Sequence, residues 1–101
     1  MNAKITLTVP MEKIPNEVAR VLLGITDELE DLLRLTRECY QNTDYMQTVA
    51  DIDGIRKRLS VVDFNYEDCY TILVGYIKYT AEKRLAEMQS QERKNDTQSN
   101  G

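Results

Sequence analysis

The chain has 101 residues, of which 42% are apolar and 30% are charged, and its formal net charge is −4. This length suits one domain, and the apolar content excludes a wholly disordered chain. The chain has no histidine and only two cysteines, which excludes an ordinary zinc site and a disulfide framework. Its acidic balance excludes a general binder of extended nucleic acid.

The N-terminal segment carries the strand signal of the chain. Ile5, Leu7 and Val9 alternate with polar residues, and this period of two is typical of a half-buried strand. Pro10 ends the pattern, because proline donates no hydrogen bond to a ladder. Residues 1–14 are therefore interpreted as an N-terminal strand or extended arm.

We expect three helices to follow this arm, over about residues 15–41, 44–61 and 65–88. Pro15 suits the first turn of the first helix, and Thr43 is the expected N-cap of the second. Asp63 or Asn65 is the expected cap of the third helix. Residues 89–101 are polar throughout and predict a disordered tail.

Each predicted helix carries apolar residues three and four apart, which is typical of helices that pack together. In the first helix these are Val18, Leu22, Ile25, Leu29, Leu32, Thr36 and Cys39. In the second they are Tyr45, Val49, Ile52, Ile55, Leu59 and Val62, and in the third Tyr66, Tyr70, Leu73, Ile77, Ala81, Leu85 and Met88. The expected fold is all-α, a three-helix antiparallel bundle with the N-terminal strand or arm.

The predicted helices differ in length, and this points to a second copy of the chain. At 1.5 Å per residue the first and third helices reach ~39 Å and the second only ~27 Å. The longer apolar seams would stay partly uncovered, and a lone strand has no ladder partner. We therefore expect dimerisation to complete the fold, in a homodimer or a higher homo-oligomer.

The leading functional hypothesis is a small non-enzymatic module for protein interaction or assembly, of the kind found among viral or bacterial accessory proteins. Six tyrosines against one phenylalanine favour an interface, because tyrosine combines an apolar body with a polar tip. The predicted interface residues are Ile5, Leu7, Val9, Tyr66, Tyr70, Tyr76 and Tyr79. The expected partners are a second copy and another protein.

Two alternatives remain open from the sequence. The first is an oligomeric binder of a nucleotide or similar small anion, which would use Arg56, Arg58 and Lys83 together with tyrosines. The second is a carboxylate-metal hydrolase, in which Asp27, Glu28 and Asp31 would supply oxygen ligands to a divalent cation. The leading hypothesis assigns no catalytic residue, no metal and no cofactor.

The cysteines and the N-terminus indicate the compartment. Cys39 and Cys69 lie among apolar residues and are interpreted as reduced, buried side chains. The chain has neither a signal-peptide pattern nor an apolar run long enough to span a membrane. We expect a cytoplasmic location, in a cell or in the host of a virus.

Overall fold

A computed structural model describes residues 10–100 of the chain, with side chains through residue 92. A short 3₁₀ turn, Met11–Lys13, leads into helix α1, Ile14–Gln41, and a three-residue turn connects it to helix α2, Tyr45–Asn100. The two helices pack against each other as an antiparallel hairpin. The all-α class is confirmed, and the predicted strand with Ile5, Leu7 and Val9 lies outside the described residues.

The predicted second and third helices form one continuous helix, so the described residues build a two-helix hairpin where three helices were expected. Asp63 and Asn65, the expected caps, lie in the interior of α2. Neither residue breaks a helix strongly, since each costs less than about 0.7 kcal/mol relative to alanine there. An inward-facing column with seven-residue spacing also continues across this point, at Ile55, Val62 and Cys69. The predicted tail, residues 89–101, begins within α2, which continues to Asn100.

The turn between the helices is organised by two side chains. The Asn42 Oδ1 atom accepts a hydrogen bond from the backbone N–H of Asp44 at 2.9 Å. The Asp44 Oδ1 atom accepts one from the backbone N–H of Gln47 at 3.2 Å, which is the geometry of an N-cap. Asp44 therefore caps α2, where the sequence predicted Thr43.

The core of the hairpin is a single seam between the helices. Its buried side chains are 4–9% exposed, and all of them except Cys39 belong to two clusters. They are Ile14, Val18, Ile25, Leu32 and Cys39 of α1, and Val62 and Cys69 of α2. From Val18 to Cys39 the buried residues of α1 recur every seven positions, as in a coiled coil.

Both cysteines are free and buried, as the sequence predicted. Burial raises the pKa of the Cys69 thiol, and the carboxylate of Asp68 raises it further. Cys69 packs beside Val18, whereas Cys39 lies 21 residues further along α1, about 31 Å away at the rise of an α-helix. This distance excludes a disulfide between them within one chain.

The hairpin is one layer of helices. Its extents are 85 × 25 × 14 Å, and 14 Å is little more than the diameter of one helix with its side chains. The radius of gyration is 23.0 Å, against about 13 Å for a compact domain of 100 residues. Domains ordinarily bury their apolar faces between two packed layers. This hairpin is a single layer, so both of its faces are left open.

Candidate interaction surface

The two flanks of the seam differ in chemistry. On one flank, charged residues of α1 pair with one another along the helix surface. Glu17 contacts Arg20 at 2.8 Å, and Arg34 contacts both Asp31, at 2.6 Å, and Glu38, at 2.7 Å. These pairs lie three and four residues apart, where helix side chains are neighbours. The α1 side of this flank is therefore suited to solvent.

The opposite flank is apolar on both helices, and we call it the lateral face. On α1, Leu22 and Leu29 each follow a buried seam residue by four positions, and on α2 Leu59 and Tyr66 follow seam residues Ile55 and Val62 in the same way. In an antiparallel pair these equivalent columns lie on the same side of the seam. The lateral face comprises Leu22, Leu29, Leu33 and Tyr40 of α1, and Val49, Ile52, Leu59, Tyr66, Tyr70 and Ile77 of α2.

A groove near the turn confirms that the two apolar columns meet. It has a volume of about 360 Å³ and almost entirely apolar walls. Tyr40 of α1 lines it together with Ile52 and Arg56 of α2. Near the turn, the lateral face is thus continuous from one helix to the other.

Two threonines increase the apolar character of this face. The Thr26 hydroxyl donates to the carbonyl oxygen of Leu22 at 3.1 Å, and the Thr36 hydroxyl donates to that of Leu32 at 2.8 Å. Each hydroxyl is therefore satisfied by its own helix. The other group on each threonine Cβ is a methyl, which needs no polar partner.

The exposed area of the lateral face is large. Its side chains are 36–75% exposed, with Leu29 at the low end and Tyr40 at the high end. For ten side chains of this size the exposed area is roughly 1,000 Å², whereas apolar patches on monomers reach about 300–600 Å². A standard stable interface covers about 800 Å² on each partner. The lateral face is therefore large enough for a stable protein interface.

Arg58 crosses the seam and pairs with two carboxylates of α1. It donates to both oxygens of Glu28, at 2.8 and 2.7 Å, and to Asp31 at 2.8 Å. These hydrogen bonds lower the pKa of Glu28 and, together with Arg34, that of Asp31. The pKa of Arg58 is raised by the same partners. The cluster is a connection between the helices, in which each charge already has a counter-charge.

The residues proposed for a metal-dependent hydrolase do not assemble into an oxygen-ligand cluster. Glu28 and Asp31 are engaged by Arg58, whereas Asp27 is not among the partners of that cluster. Among the side chains that the structure describes, no group of three or more carboxylates, cysteines or histidines is placed to hold a metal ion. The arrangement around Arg58 holds the helices together.

The cations proposed for an anionic ligand lie at three different places. Arg56 borders the apolar groove beside the turn, and Arg58 is ion-paired in the seam. Lys83 lines a smaller cleft of about 120 Å³ with Met11 and Tyr79. Because Lys83 follows Arg56 by 27 residues on one helix, the two lie about 40 Å apart. One chain therefore cannot bring them to the same small ligand.

The tyrosines predicted for the interface divide between two regions of α2. Tyr66 and Tyr70 belong to the lateral face, where Tyr70 is 72% exposed. Tyr76 is half-buried against the cluster of Ile14 and Val18, and it lines the small cleft with Tyr79. The other predicted interface residues, Ile5, Leu7 and Val9, lie outside the described residues.

The sequence prediction missed the division of each apolar face into a buried seam and an exposed column. Leu22, Leu29 and Thr36 were expected inside the bundle together with Ile25 and Leu32. In the structure the first three are exposed, and the last two are buried. The sequence signal for this division is the width of the apolar face. A face that is too broad for one neighbouring helix leaves its outer column available to another surface.

Comparison with other proteins finds no relative from which a role can be carried over: no family model, no curated protein and no solved structure matches the chain. Over the described residues, neither helix contains an apolar stretch suitable for crossing a bilayer. The functional assignment therefore depends on the surface of the hairpin itself.

Proposed function

We propose that this chain is a non-enzymatic assembly module whose hairpins associate through the lateral face into a homo-oligomer, with a dimer as the smallest form. The observation that carries the proposal is the single helical layer with roughly 1,000 Å² of apolar surface on one flank. A second hairpin laid on this face supplies the missing layer, and the product is a four-helix bundle.

Energetics favour this association. Association would cover roughly 1,000 Å² on each hairpin, which exceeds the ~800 Å² that a standard stable interface covers on each partner. On the opposite flank the charged side chains of α1 already pair with one another, so docking there would have to bury these pairs. Binding of a different protein, as expected from the sequence, is an extension of this proposal.

Polar substitution on opposite sides of α1 tests the proposal. Leu29→Gln places an amide in the lateral face, whereas Leu23→Gln makes the same change at a position that is 64% exposed and outside that face. We expect Leu29→Gln to weaken association by at least ~10-fold, since it removes buried leucine surface from both copies. Leu23→Gln should leave it unchanged.

The measurement is the absolute mass of the full chain by analytical ultracentrifugation over a range of concentrations, with helicity by circular dichroism as the check on folding. A wild-type mass that stays at 11.7 kDa at all concentrations would overturn the proposal. Equal weakening by Leu29→Gln and Leu23→Gln would also overturn it, because the lateral face would then have no special role.

A second candidate function, binding of a small anionic ligand, is favoured by one observation. Arg56 and Tyr40 line the same apolar groove, so an anion with an apolar body would find a cation and an aromatic ring there. A thermal shift with a panel of nucleotides, lost in Arg56→Ala, would support this function. The absence of a thermal shift with every nucleotide tested would contradict this function.

A further inference from the structure

Two charged residues interrupt the apolar columns of the lateral face over the length of the hairpin, and both are on α2. Arg56 and Asp63 occupy the same column as Val49, Tyr70 and Ile77, at seven-residue intervals. The α1 columns of this face contain no charged residue. Along one helix, Arg56 and Asp63 lie about 10 Å apart, too far to pair with each other. Among the described side chains, neither takes part in an ion pair.

We infer that a second copy docks antiparallel on the lateral face, α2 against α2, about a two-fold axis beside Leu59, so that Arg56 of each copy pairs with Asp63 of the partner subunit. This inference rests on the proposed function and adds the orientation and register of the dimer. A two-fold axis makes every contact occur twice, so one residue of each sign on one helix yields two opposite-charge pairs.

The same axis matches the sizes of the apolar side chains. Ile52 and Tyr66 are each seven residues from Leu59, so Ile52 faces Tyr66 of the partner subunit. Val49 and Tyr70 are nearly equidistant from Leu59 and face each other in the same way. Each tyrosine thus meets a smaller aliphatic residue, as close packing of two surfaces requires.

A parallel arrangement fails on the same residues. It would place Arg56 against Arg56 of the partner subunit and Asp63 against Asp63 of the partner subunit. Like charges at an interface are unfavourable and suppress the wrong orientation. It would also oppose tyrosine to tyrosine at positions 66 and 70. The charge pattern therefore selects the antiparallel orientation.

The two-fold axis that relates the α2 helices also brings the α1 helices of the two copies together. Glu28 and Arg58 contact each other across the hairpin, so their neighbours Leu29 and Leu59 lie at the same level. The axis beside Leu59 therefore also passes beside Leu29, and the α1 helices of the two copies meet there. Four helices then surround one core, with each neighbouring pair antiparallel.

Charge reversal in the full chain tests the register. Arg56→Asp alone, or Asp63→Arg alone, turns two attractive pairs into two repulsive ones, and we expect the dimer dissociation constant to rise roughly tenfold. The double variant Arg56→Asp/Asp63→Arg should restore the wild-type constant. Lys57→Asp is the matched control for Arg56→Asp, because it makes the same change in net charge on the next residue, which contacts Asp53 rather than the lateral face.

Mixing the two single variants gives the sharpest result. In a dimer of Arg56→Asp with Asp63→Arg, both cross-pairs are attractive, so the mixture should associate more tightly than either variant alone. If neither reversal differs from Lys57→Asp, or if the mixture is no tighter, the register is wrong. The failure of the proposed function is distinguishable from the failure of the register. A wild-type chain that is monomeric at every concentration overturns both the proposed function and the register. A dimer that is weakened by Leu29→Gln but insensitive to charge reversal overturns the register alone.

Discussion

Arg58 of α2 donates to both carboxylate oxygens of Glu28 on α1, through its Nε atom at 2.8 Å and its Nη2 atom at 2.7 Å. The pair and the adjoining contact of Arg58 with Asp31 lie beside a seam of buried apolar side chains. Ile25, Leu32 and Val62 form the adjoining cluster. A polar contact at a single level of a coiled coil specifies the register, because any shift would separate the charges.

Removal of this contact should lower stability more than removal of a surface pair. Arg58→Ala leaves Glu28 and Asp31 without their shared donor, and we expect the melting temperature to fall by a few degrees. Lys57→Ala removes a pair with Asp53 that is more exposed, and it should have almost no effect. Thermal unfolding of the two variants compares these contacts. Equal shifts would contradict a register role for Arg58.

The same cluster predicts loss of stability in acid. The pKa values of Glu28 and Asp31 are lowered from ordinary values of 4.5 and 3.8, so their contribution to the free energy of unfolding is complete above about pH 5. It is lost as the pH falls through the lowered values, because both carboxylates are then protonated. Urea unfolding from pH 7 to pH 2 should show this loss for wild type. The free energy of unfolding should depend less steeply on pH in Glu28→Gln than in wild type. An unchanged pH dependence would contradict the contribution assigned to Glu28.

Continuity of α2 predicts different effects for two prolines. Phe64→Pro removes a hydrogen bond in the helix interior and should cost about 3 kcal/mol or more. Tyr45→Pro falls at the first helical position after the Asp44 cap, where proline is tolerated. Urea unfolding and circular dichroism measure both. If Phe64→Pro is as stable as Tyr45→Pro, α2 has a break between residues 61 and 65, as a three-helix bundle requires.

The cap of α2 can be tested at the turn. Asp44→Ala removes the acceptor for the Gln47 N–H and should destabilise the chain by about 1 kcal/mol. Thr43→Ala, one position earlier, should change the free energy of unfolding by less than about 0.5 kcal/mol, as ordinary surface substitutions do. Chemical denaturation measures the two values. A larger loss of stability in Thr43→Ala than in Asp44→Ala would show that Thr43 is the cap.

The sequence predicts the helical class and the first helix well, because local signals and tertiary packing agree there. The predicted start at residue 15 is one residue from the observed Ile14, and the predicted end at 41 is the observed one. Pro15 sets the start, and Asn42 begins the turn. Both act on the local backbone, so their effect is visible in a single sequence.

The junction near residue 63 could not be predicted in the same way. Asp63 and Asn65 favour caps, but they are also tolerated inside a helix when the inward column remains apolar. Val62 and Cys69 keep that column continuous, and their burial against α1 decides in favour of one helix. This is a tertiary effect. The placement of Arg58 beside Glu28 is another, because it depends on the register of the hairpin.

The candidate surface was only partly predictable for a related reason. Tyr66 and Tyr70 were predicted at an interface and are exposed on the lateral face, whereas Leu29 and Leu59 were predicted in the core. Periodicity finds an apolar face but does not say which of its columns meets a helix of the same chain. That distinction requires the position of the neighbouring helix.

We propose that a second layer of helices covers the lateral face in solution. Small-angle X-ray scattering of the full chain, with mass on an absolute scale, tests it most directly. We predict a particle of twice 11.7 kDa whose cross-section is about two helices thick in both directions. A mass of 11.7 kDa with the 14 Å thickness of a single layer would contradict the account.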